Sequence, residues 1–180
     1  IIIQSGNDAS VAIAEYIAGS EDAFADMMNQ QARALGLKNS SFLNATGLPN
    51  DDHYSTAEDL ARLTIALIRD HPEQYKLYSQ RSYKFNDIAQ PNRNKLLWRD
   101  RSVDGVKTGY TAAAGYCLVA SAERNGVRLV SVVMGADSDQ ARMRESQKLL
   151  SYGFRNFDTQ TLYEAGINLR QQDVYYGDAD

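Results

Sequence analysis

The chain has 180 residues, of which 43% are hydrophobic and 23% are charged, and its net charge is −4 at pH 7. A chain of this length buries about two thirds of its unfolded surface, so a single domain can build a core without disulfides or metals. No stretch rich in lysine and arginine stands out and no apolar run approaches the length of a membrane span, which argues against a nucleic-acid partner and a transmembrane segment.

Two helices are predicted near the start of the chain. Apolar residues recur at helical spacing over residues 10–18, and Gly19 is typical of a helix end. Ser20 is a typical N-cap for a second helix, and the acidic residues that follow it favour the helix dipole. Gly36 is expected to close this second helix.

A long loop separates these helices from a third one. Residues 37–54 are polar and rich in turn residues, with one short apolar contact at Phe42-Leu43. The sequence Ser-Thr-Ala-Glu at 55–58 is a capping box, which typically begins a helix. Leucine and isoleucine follow at helical spacing, and Pro72 is expected to stop the helix.

Strands are predicted further along the chain. Residues 82–85 are consistent with a short strand, and residues 87–94 are predicted to form a polar turn. The segments 116–123 and 127–135 are predicted strands joined by an Asn-Gly pair, the strongest short hairpin signal. The second of them is apolar on both faces, which predicts a central strand covered on both sides.

Helical spacing returns over residues 138–152, and the final stretch from Asp158 mixes short β-like pieces with glycines. A helical cluster followed by an antiparallel hairpin and another helix predicts an α+β fold of two or three layers. The single cysteine, Cys117, lies in an apolar run and is expected to be a small buried core residue. His53 and His71 have no partner at ligand spacing, so no metal site is expected.

Lys107 stands where a strand is expected to begin. Residues 104–105, Asp-Gly, are a turn signal, so residues 106–109 should begin a strand that faces the helical layer. A buried ammonium must be hydrogen-bonded, paired with a charge or open to a cavity, because burying it alone is costly. The plain alternative is a lysine that protects an exposed edge strand from self-association.

Ser5-Gly6-Asn7 follows the β-branched opening of the chain and precedes the first helix. One interpretation is that Ser5 or Asn7 caps that helix. The other is that their hydroxyl and amide lie side by side on a tight turn and point into a cleft. The tripeptide alone does not decide between the two.

Together, Ser5-Gly6-Asn7 and the Lys-Thr-Gly at 107–109 resemble the second and third motifs, S-x-N and K-T-G, of the penicillin-recognising serine enzymes. Four longer stretches are similar to the low-molecular-mass penicillin-binding proteins, the D-alanyl-D-alanine carboxypeptidases of bacterial cell-wall maturation. They are QSGNDASVAIAEYIAG, FLNATGLPNDDHYSTAEDLARL, QPNRNKLLW and LVSVVMGADSDQAR.

The resemblance covers nearly the whole chain, and it implies the α+β fold shared by penicillin-binding proteins and β-lactamases. Residues 1–160 would be a partial catalytic domain, and residues 161–180 a linker and the beginning of a C-terminal β-rich domain. The first motif, S-x-x-K, is absent, because no serine has a lysine three residues later. We expect that the chain is a fragment that lacks the nucleophilic serine and its lysine, and that it is inactive alone.

The resemblance also implies roles for the two motifs. Ser5 would relay a proton between the nucleophile and the leaving amine, and Asn7 would bind the amide carbonyl of the substrate. Lys107 and Thr108 would meet the terminal carboxylate of a peptide or orient the hydroxyl network. Arg93, in QPNRN, would be a second cation for that carboxylate, although by itself it is equally an ordinary solvated loop arginine.

Three further residues complete the implied substrate-binding set. Gly109 and Tyr110 would line the cleft, with the backbone N–H of Tyr110 as half of the oxyanion hole. Close relatives often have histidine where Tyr110 stands, so its side chain is expected to alter substrate or inhibitor preference. Arg142 is expected near the rim of the cleft.

The implied activity is that of a serine-type D-alanyl-D-alanine carboxypeptidase that acts on peptidoglycan stem peptides without a cofactor. β-Lactam antibiotics would bind it, and the parent protein would be periplasmic, at the outer face of the cytoplasmic membrane, associated through a segment absent here. One alternative is a D,D-endopeptidase. Another is a class A-like β-lactamase, which would require a glutamate to activate the deacylating water. Residues 42–54 contain no glutamate. A third is a non-catalytic binding module or inert fragment.

Overall fold

The computed structural model describes residues 1–163 and 165–171, and this part of the chain contains helices α1 to α6 and strands β1 to β5. The helices span Asn7–Ala18, Glu21–Ala34, Ala57–Asp70, Pro72–Tyr75, Leu96–Arg99 and Asp139–Asn156. The strands span Ser82–Phe85, Ile88–Pro91, Val103–Thr111, Gly115–Arg124 and Val127–Ala136. A short 3₁₀ turn at Lys76–Ser79 follows α4.

Local capping signals place the first two helices as predicted. Gly19 ends α1 in the left-handed conformation with φ +83°, and its N–H donates to the carbonyl of Glu15 at 2.7 Å. The Ser20 hydroxyl accepts the N–H of Ala23 at 3.1 Å and so caps α2. Helix α1 begins at Asn7, three residues before the predicted start.

The start of α3 differs from the predicted capping box by one residue. Thr56 is the N-cap, and its hydroxyl accepts the N–H of Asp59 at 3.2 Å. The buried Asp59 carboxylate does not reach back to the cap. Instead it accepts the N–H of Asn39 and the hydroxyl of Ser40, both at 2.7 Å. Thr56 therefore begins the helix, and Asp59 anchors the loop that precedes α3.

The prediction of a polar turn over residues 87–94 is wrong, because Ile88–Pro91 pairs with Ser82–Phe85 as an antiparallel hairpin. The chain reverses within two residues, Asn86 and Asp87, which have φ values of +50° and +61°. Asparagine and aspartate adopt this left-handed conformation more readily than other non-glycine residues. The reversal is thus tighter than the polar composition suggested.

The larger sheet is antiparallel, with the order β3-β4-β5 in the described residues. Asn125 and Gly126, both with positive φ, form the predicted turn between β4 and β5. The prediction that residues 127–135 form the central strand is wrong, because β4 occupies that place. Strand β5 contacts both α3 and α6, so helices cover its apolar faces. It has this covering although it is not the central strand.

Strand β3 begins at Val103, so the predicted turn at residues 104–105 is also wrong. Asp104 accepts a hydrogen bond from the Tyr75 hydroxyl at 2.9 Å and pairs with Arg128 at 2.6 Å. These two contacts compensate the negative charge of Asp104 within the sheet. Gly105 packs closely on the same tyrosine, since a Cβ there would lie 2.5 Å from the Tyr75 oxygen. The Asp-Gly pair thus belongs to the strand, where Asp104 binds Tyr75 and Arg128 and Gly105 allows the Tyr75 ring to approach closely.

The hydrophobic core lies between the β3-β4-β5 sheet and α6. Leu118, Ala120 and Ala122 of β4 are fully buried. The cluster is completed by residues from α5, β3 and α6, namely Leu96, Leu97, Val103, Met143 and Leu150. Helix α6 therefore covers one face of the sheet, and β3 is an edge strand of this sheet in the described residues.

Beyond α6, residues 157–163 and 165–171 contain no helix or strand. The predicted beginning of a β-rich domain at 161–180 lies partly outside the described residues and stays a prediction. Within the described ranges, no helix has the length and apolar character needed to cross a membrane.

Adjacent leucines on α6 provide a test of this packing. Leu150 is 1% exposed and Leu149 is 49% exposed. We expect Leu150→Ala to lower the free energy of unfolding by about 2–5 kcal/mol, because it leaves a cavity in the core. Leu149→Ala should change it by about 0.5 kcal/mol or less. Urea denaturation measures both values, and equal effects of the two substitutions would contradict the described packing.

Candidate active site

A cleft of about 640 Å³ lies between the helical cluster and the outer edge of β3. All eight of the site residues predicted from the sequence line it, namely Ser5, Asn7, Arg93, Lys107, Thr108, Gly109, Tyr110 and Arg142. Within the described part of the chain, no acidic residue lines the cleft, whereas three of its residues are cations. The site is therefore suited to an anionic ligand.

The two sequence motifs meet at a hydrogen bond. Lys107 Nζ donates to Ser5 Oγ, and it also donates to the carbonyl of Thr108 at 3.0 Å. Ser5 has a φ of +57°, and its N–H donates to the carbonyl of Ile1 at 2.8 Å. A non-glycine residue in this conformation is uncommon, and it often marks a functional position. The tight turn thus directs the Ser5 hydroxyl toward β3.

Helix capping does not account for Ser5 or Asn7. The N-cap of α1 is Gly6, and no side chain makes a capping hydrogen bond there. The exposed Asn7 amide makes no hydrogen bond to any described residue, and it lines the cleft. The Asn7 amide is therefore available to a ligand, and the Ser5 hydroxyl, which accepts from Lys107, can still donate a hydrogen bond to one.

The environment of Lys107 lowers the pKa of its ammonium from the ordinary value of 10.5 to about 8. Burial is the largest cause, because it disfavours the charged form, and the positive charges of Arg93 and Arg142 act in the same direction. Near neutral pH a fraction of Lys107 is consequently unprotonated. The Ser5-Lys107 pair can then accept as well as donate a proton.

Two buried asparagines hold the loop that carries Arg93. Asn92 donates to the carbonyl of Gln80 at 2.9 Å, and its Oδ1 accepts the N–H of Asn94 at 2.9 Å. Asn94 Nδ2 in turn donates to the carbonyl of Gly105 on β3 at 3.0 Å. The Arg93 guanidinium is exposed and makes no hydrogen bond to the described residues. The stretch QPNRN thus presents one unpaired cation to the cleft.

Arg142 lines the cleft but is buried, and it makes several structural contacts. Its Nη1 donates to the carbonyls of Gly109 at 2.9 Å and Cys117 at 3.1 Å. Its Nε donates to Asp139 at 3.0 Å. Because these bonds occupy most of its donors, Arg142 mainly ties α6 to the β3–β4 pair, and little of it remains for direct binding.

The prediction that Cys117 is buried in the core is wrong, since it is half-buried and lines the cleft. Its partner across the β3–β4 ladder is Gly109, which has no side chain to cover it. The thiol lies 3.5 Å from the carbonyl oxygen of Ala114. An apolar run in the sequence could not reveal which cross-strand neighbour a residue would have.

Sequence reasoning missed the part that the loop at 45–48 has in lining the cleft. Asn44 organises this loop, because its Oδ1 accepts the N–H groups of Thr46 at 3.2 Å and Gly47 at 2.7 Å. Its Nδ2 donates to the carbonyl of Leu48 at 3.0 Å. The run Asn-Ala-Thr-Gly carries this turn chemistry and could have predicted a compact, ordered loop.

His53 has a structural position. Its Nδ1 accepts the N–H of Leu43 at 3.3 Å, and its ring packs edge-on against Phe42. Burial lowers the pKa of His53, which favours the neutral form that this hydrogen bond requires. In the residues that the structure describes, no cluster of three or more metal-ligating side chains is found.

Comparison with known proteins identifies similar sequences over almost the entire chain. The pattern of the family described as D-alanyl-D-alanine carboxypeptidase matches residues 1–138. The chain is 50% identical over 179 residues to D-alanyl-D-alanine carboxypeptidase DacC of Escherichia coli, covering 99% of the chain and 45% of that protein. It is 33% identical over 162 residues to the D-alanyl-D-alanine endopeptidase of Escherichia coli, covering 84% of the chain and 50% of that protein. It thus spans about half the length of these curated relatives.

Among solved structures, penicillin binding protein 5 from Haemophilus influenzae matches with a TM-score of 0.90 and 50% sequence identity. The match covers 97% of this chain and 52% of that one. It confirms the α+β penicillin-binding fold and the resemblance to low-molecular-mass penicillin-binding proteins. The carboxypeptidases are also closer in sequence than the endopeptidase.

The electrostatic environment of Lys107 can be tested directly. We expect Arg93→Ala to raise the pKa of Lys107 above about 8, because it removes one of the positive charges that disfavour the ammonium. NMR titration of the lysine side-chain signals measures this pKa. Arg62→Ala, on the exposed face of α3, is the matched control and should leave it unchanged. A fall in the pKa on removal of Arg93 would contradict the described arrangement.

Proposed function

Because the chain belongs to the D-alanyl-D-alanine carboxypeptidase family, we propose that it forms part of a serine hydrolase that removes the terminal D-alanine from peptidoglycan stem peptides. The observation that carries this proposal is the Lys107-Ser5 hydrogen bond at the wall of a cationic cleft. Both residue types are those that an acyl-transfer site requires for moving protons.

The free carboxylate of the stem peptide would bind at the cationic end of the cleft. Arg93 offers an exposed guanidinium with no described partner, and a guanidinium can bind a carboxylate through two parallel hydrogen bonds. Lys107 and the hydroxyl of Thr108 lie on the adjacent strand. Fixing the carboxylate in this way would position the preceding amide bond for attack.

Acylation would begin with a serine from an S-x-x-K segment, which this sequence does not contain. Its oxygen attacks the carbonyl carbon of the penultimate D-alanine, and the amide C–N bond breaks. The terminal D-alanine leaves as an amine after it receives a proton. Water then attacks the resulting ester, which releases the shortened peptide and regenerates the serine.

The described residues would support these steps through hydrogen bonds and proton transfer. The Ser5-Lys107 pair would pass the proton to the departing amine, for which a Lys107 pKa of about 8 is suitable. Asn7 would hold the amide carbonyl of the substrate. The backbone N–H of Tyr110 would stabilise the oxyanion, and one such donor contributes about 3 kcal/mol.

The same cleft would accept β-lactam antibiotics, which combine a carboxylate with a reactive amide, and would retain them as a long-lived acyl-enzyme. The absence of acidic residues from the described cleft lining supports this outcome over a β-lactamase, which would want a glutamate to activate the deacylating water. Because peptidoglycan lies outside the cytoplasmic membrane, we place the whole protein in the periplasm, associated with that membrane through a segment outside this sequence.

Acylation by a fluorescent penicillin tests the source of the nucleophile. We expect the 180-residue chain to gain no covalent adduct, since it has no serine followed three residues later by lysine. The full-length protein, or the chain with its upstream segment supplied, should gain one equivalent. Intact-mass spectrometry distinguishes the two results. A stoichiometric adduct on the 180-residue chain would contradict the assignment of the nucleophile.

Substitution of Ser5 tests the proton relay in the full-length protein. We expect Ser5→Ala to lower kcat for D-alanine release by about 10²–10⁴-fold, because the departing amine loses its proton donor. The matched control is Ser79→Ala, whose hydroxyl donates to the carbonyl of Lys76 outside the cleft. Full activity of Ser5→Ala would remove the proposed role of the Ser5-Lys107 pair.

A further inference from the structure

Resting on the proposed function, we propose that the Tyr110 ring, which lines the cleft and packs on Tyr116, forms an aromatic wall that determines which leaving group the cleft accepts. The wall would favour a small C-terminal residue such as D-alanine. It would disfavour a bulky leaving group, such as the second peptide of a cross-link. Tyr110 is thereby a specificity-determining residue through its side chain, independently of its backbone N–H.

The position of Tyr110 follows from strand alternation. Side chains at positions 108 and 110 point to the same face of β3, whereas Lys107 points to the opposite face. Two strand residues cover about 6.6 Å, so the Tyr110 side chain begins about that distance from the Thr108 side chain. A leaving residue whose carboxylate lies at Thr108 therefore has its own side chain within reach of the Tyr110 ring.

The two tyrosines are directly opposed across the β3–β4 ladder. Their ring centroids are 4.3 Å apart, and the ring planes are tilted by 37°. Tyr110 is 59% exposed, so much of its ring is available to a ligand although it packs on its partner. Such a cross-strand aromatic pair restricts the ring to a small set of orientations, which gives the wall a defined shape.

Residues of α6 and the residue before α5 also support the aromatic wall. The Arg142 guanidinium lies 5.5 Å from the centroid of the Tyr116 ring. Asp139 holds that guanidinium through Nε at 3.0 Å, and the same carboxylate pairs with Lys95 at 2.7 Å. These contacts connect α6 and the segment before α5 to the tyrosine pair. The Tyr110 ring consequently packs on a tyrosine that is itself held in place by Arg142.

A fixed wall of this kind discriminates by size. A single methylene that a pocket cannot accommodate changes relative rates by about 10–200-fold, and a rigid aromatic ring gives such a pocket little room to adapt. D-Alanine presents one methyl group beside its carboxylate. A larger D-amino acid or a peptide branch must displace the Tyr110 ring or shift its own carboxylate away from Thr108.

The test compares two acetylated peptides in the full-length protein, one ending in D-Ala-D-Ala and the other in D-Ala-D-Leu. We expect Tyr110→Ala to raise kcat/KM for the D-leucine peptide relative to the D-alanine peptide by about tenfold or more. Tyr110→Phe should leave the ratio unchanged, because it retains the ring. Circular dichroism and the midpoint of thermal unfolding show whether each variant is folded.

Tyr116→Ala removes the support and should change the ratio in the same direction, but less. Tyr152→Ala is the matched control, since this exposed α6 tyrosine packs on Phe157 away from the cleft. If the wild type releases D-alanine but Tyr110→Ala leaves the ratio of the two kcat/KM values unchanged, the aromatic wall is overturned and the proposed function stands. Failure of the wild type to release the C-terminal residue from either peptide would overturn the proposed function and the wall with it.

Discussion

The contact between the Lys107 ammonium and the Ser5 hydroxyl is the interaction on which the site depends. It joins residues that are 102 positions apart in the sequence. A largely buried ammonium is costly unless it is hydrogen-bonded, so the contact couples the stability of β3 to the turn before α1. The same burial, together with the nearby arginines, lowers the pKa of the lysine and makes the pair able to exchange a proton.

Strand β3 is fixed on both sides of that lysine. Before it, Asn94 holds the carbonyl of Gly105, and beyond it, Arg142 holds the carbonyl of Gly109. These buried side chains come from separate elements, the loop before α5 and helix α6. Because they bind backbone oxygens, they constrain the path of the strand while leaving its side chains free to face the cleft. The geometry of the site is therefore set by residues whose hydrogen bonds go mainly to the protein itself.

Local signals were sufficient to predict α1, α2, α3, α6 and the main hairpin, because the residues that set them are close in sequence, whereas the one-turn helices α4 and α5 were not predicted. Gly19 ends α1, Ser20 caps α2, and an Asn-Gly pair turns β4 into β5. The central position of β4 was not predictable in this way, since an apolar strand shows only that its faces are covered. The exposure of Cys117 likewise depends on the glycine opposite it, which only the strand register reveals. The eight site residues were named through the resemblance of two short motifs and four longer stretches, and the structure brings them to one cleft.

The left-handed backbone at Ser5 limits the chemistry available at that position. Threonine carries the same hydroxyl, but its branched Cβ makes a φ of +57° strongly unfavourable. Asparagine tolerates the conformation, but its amide is no substitute for a hydroxyl that both gives and takes a proton. Serine is thus the residue that fits both the backbone turn and the hydrogen bond with Lys107. The backbone conformation therefore restricts which residue can stand at position 5, independently of the substrate.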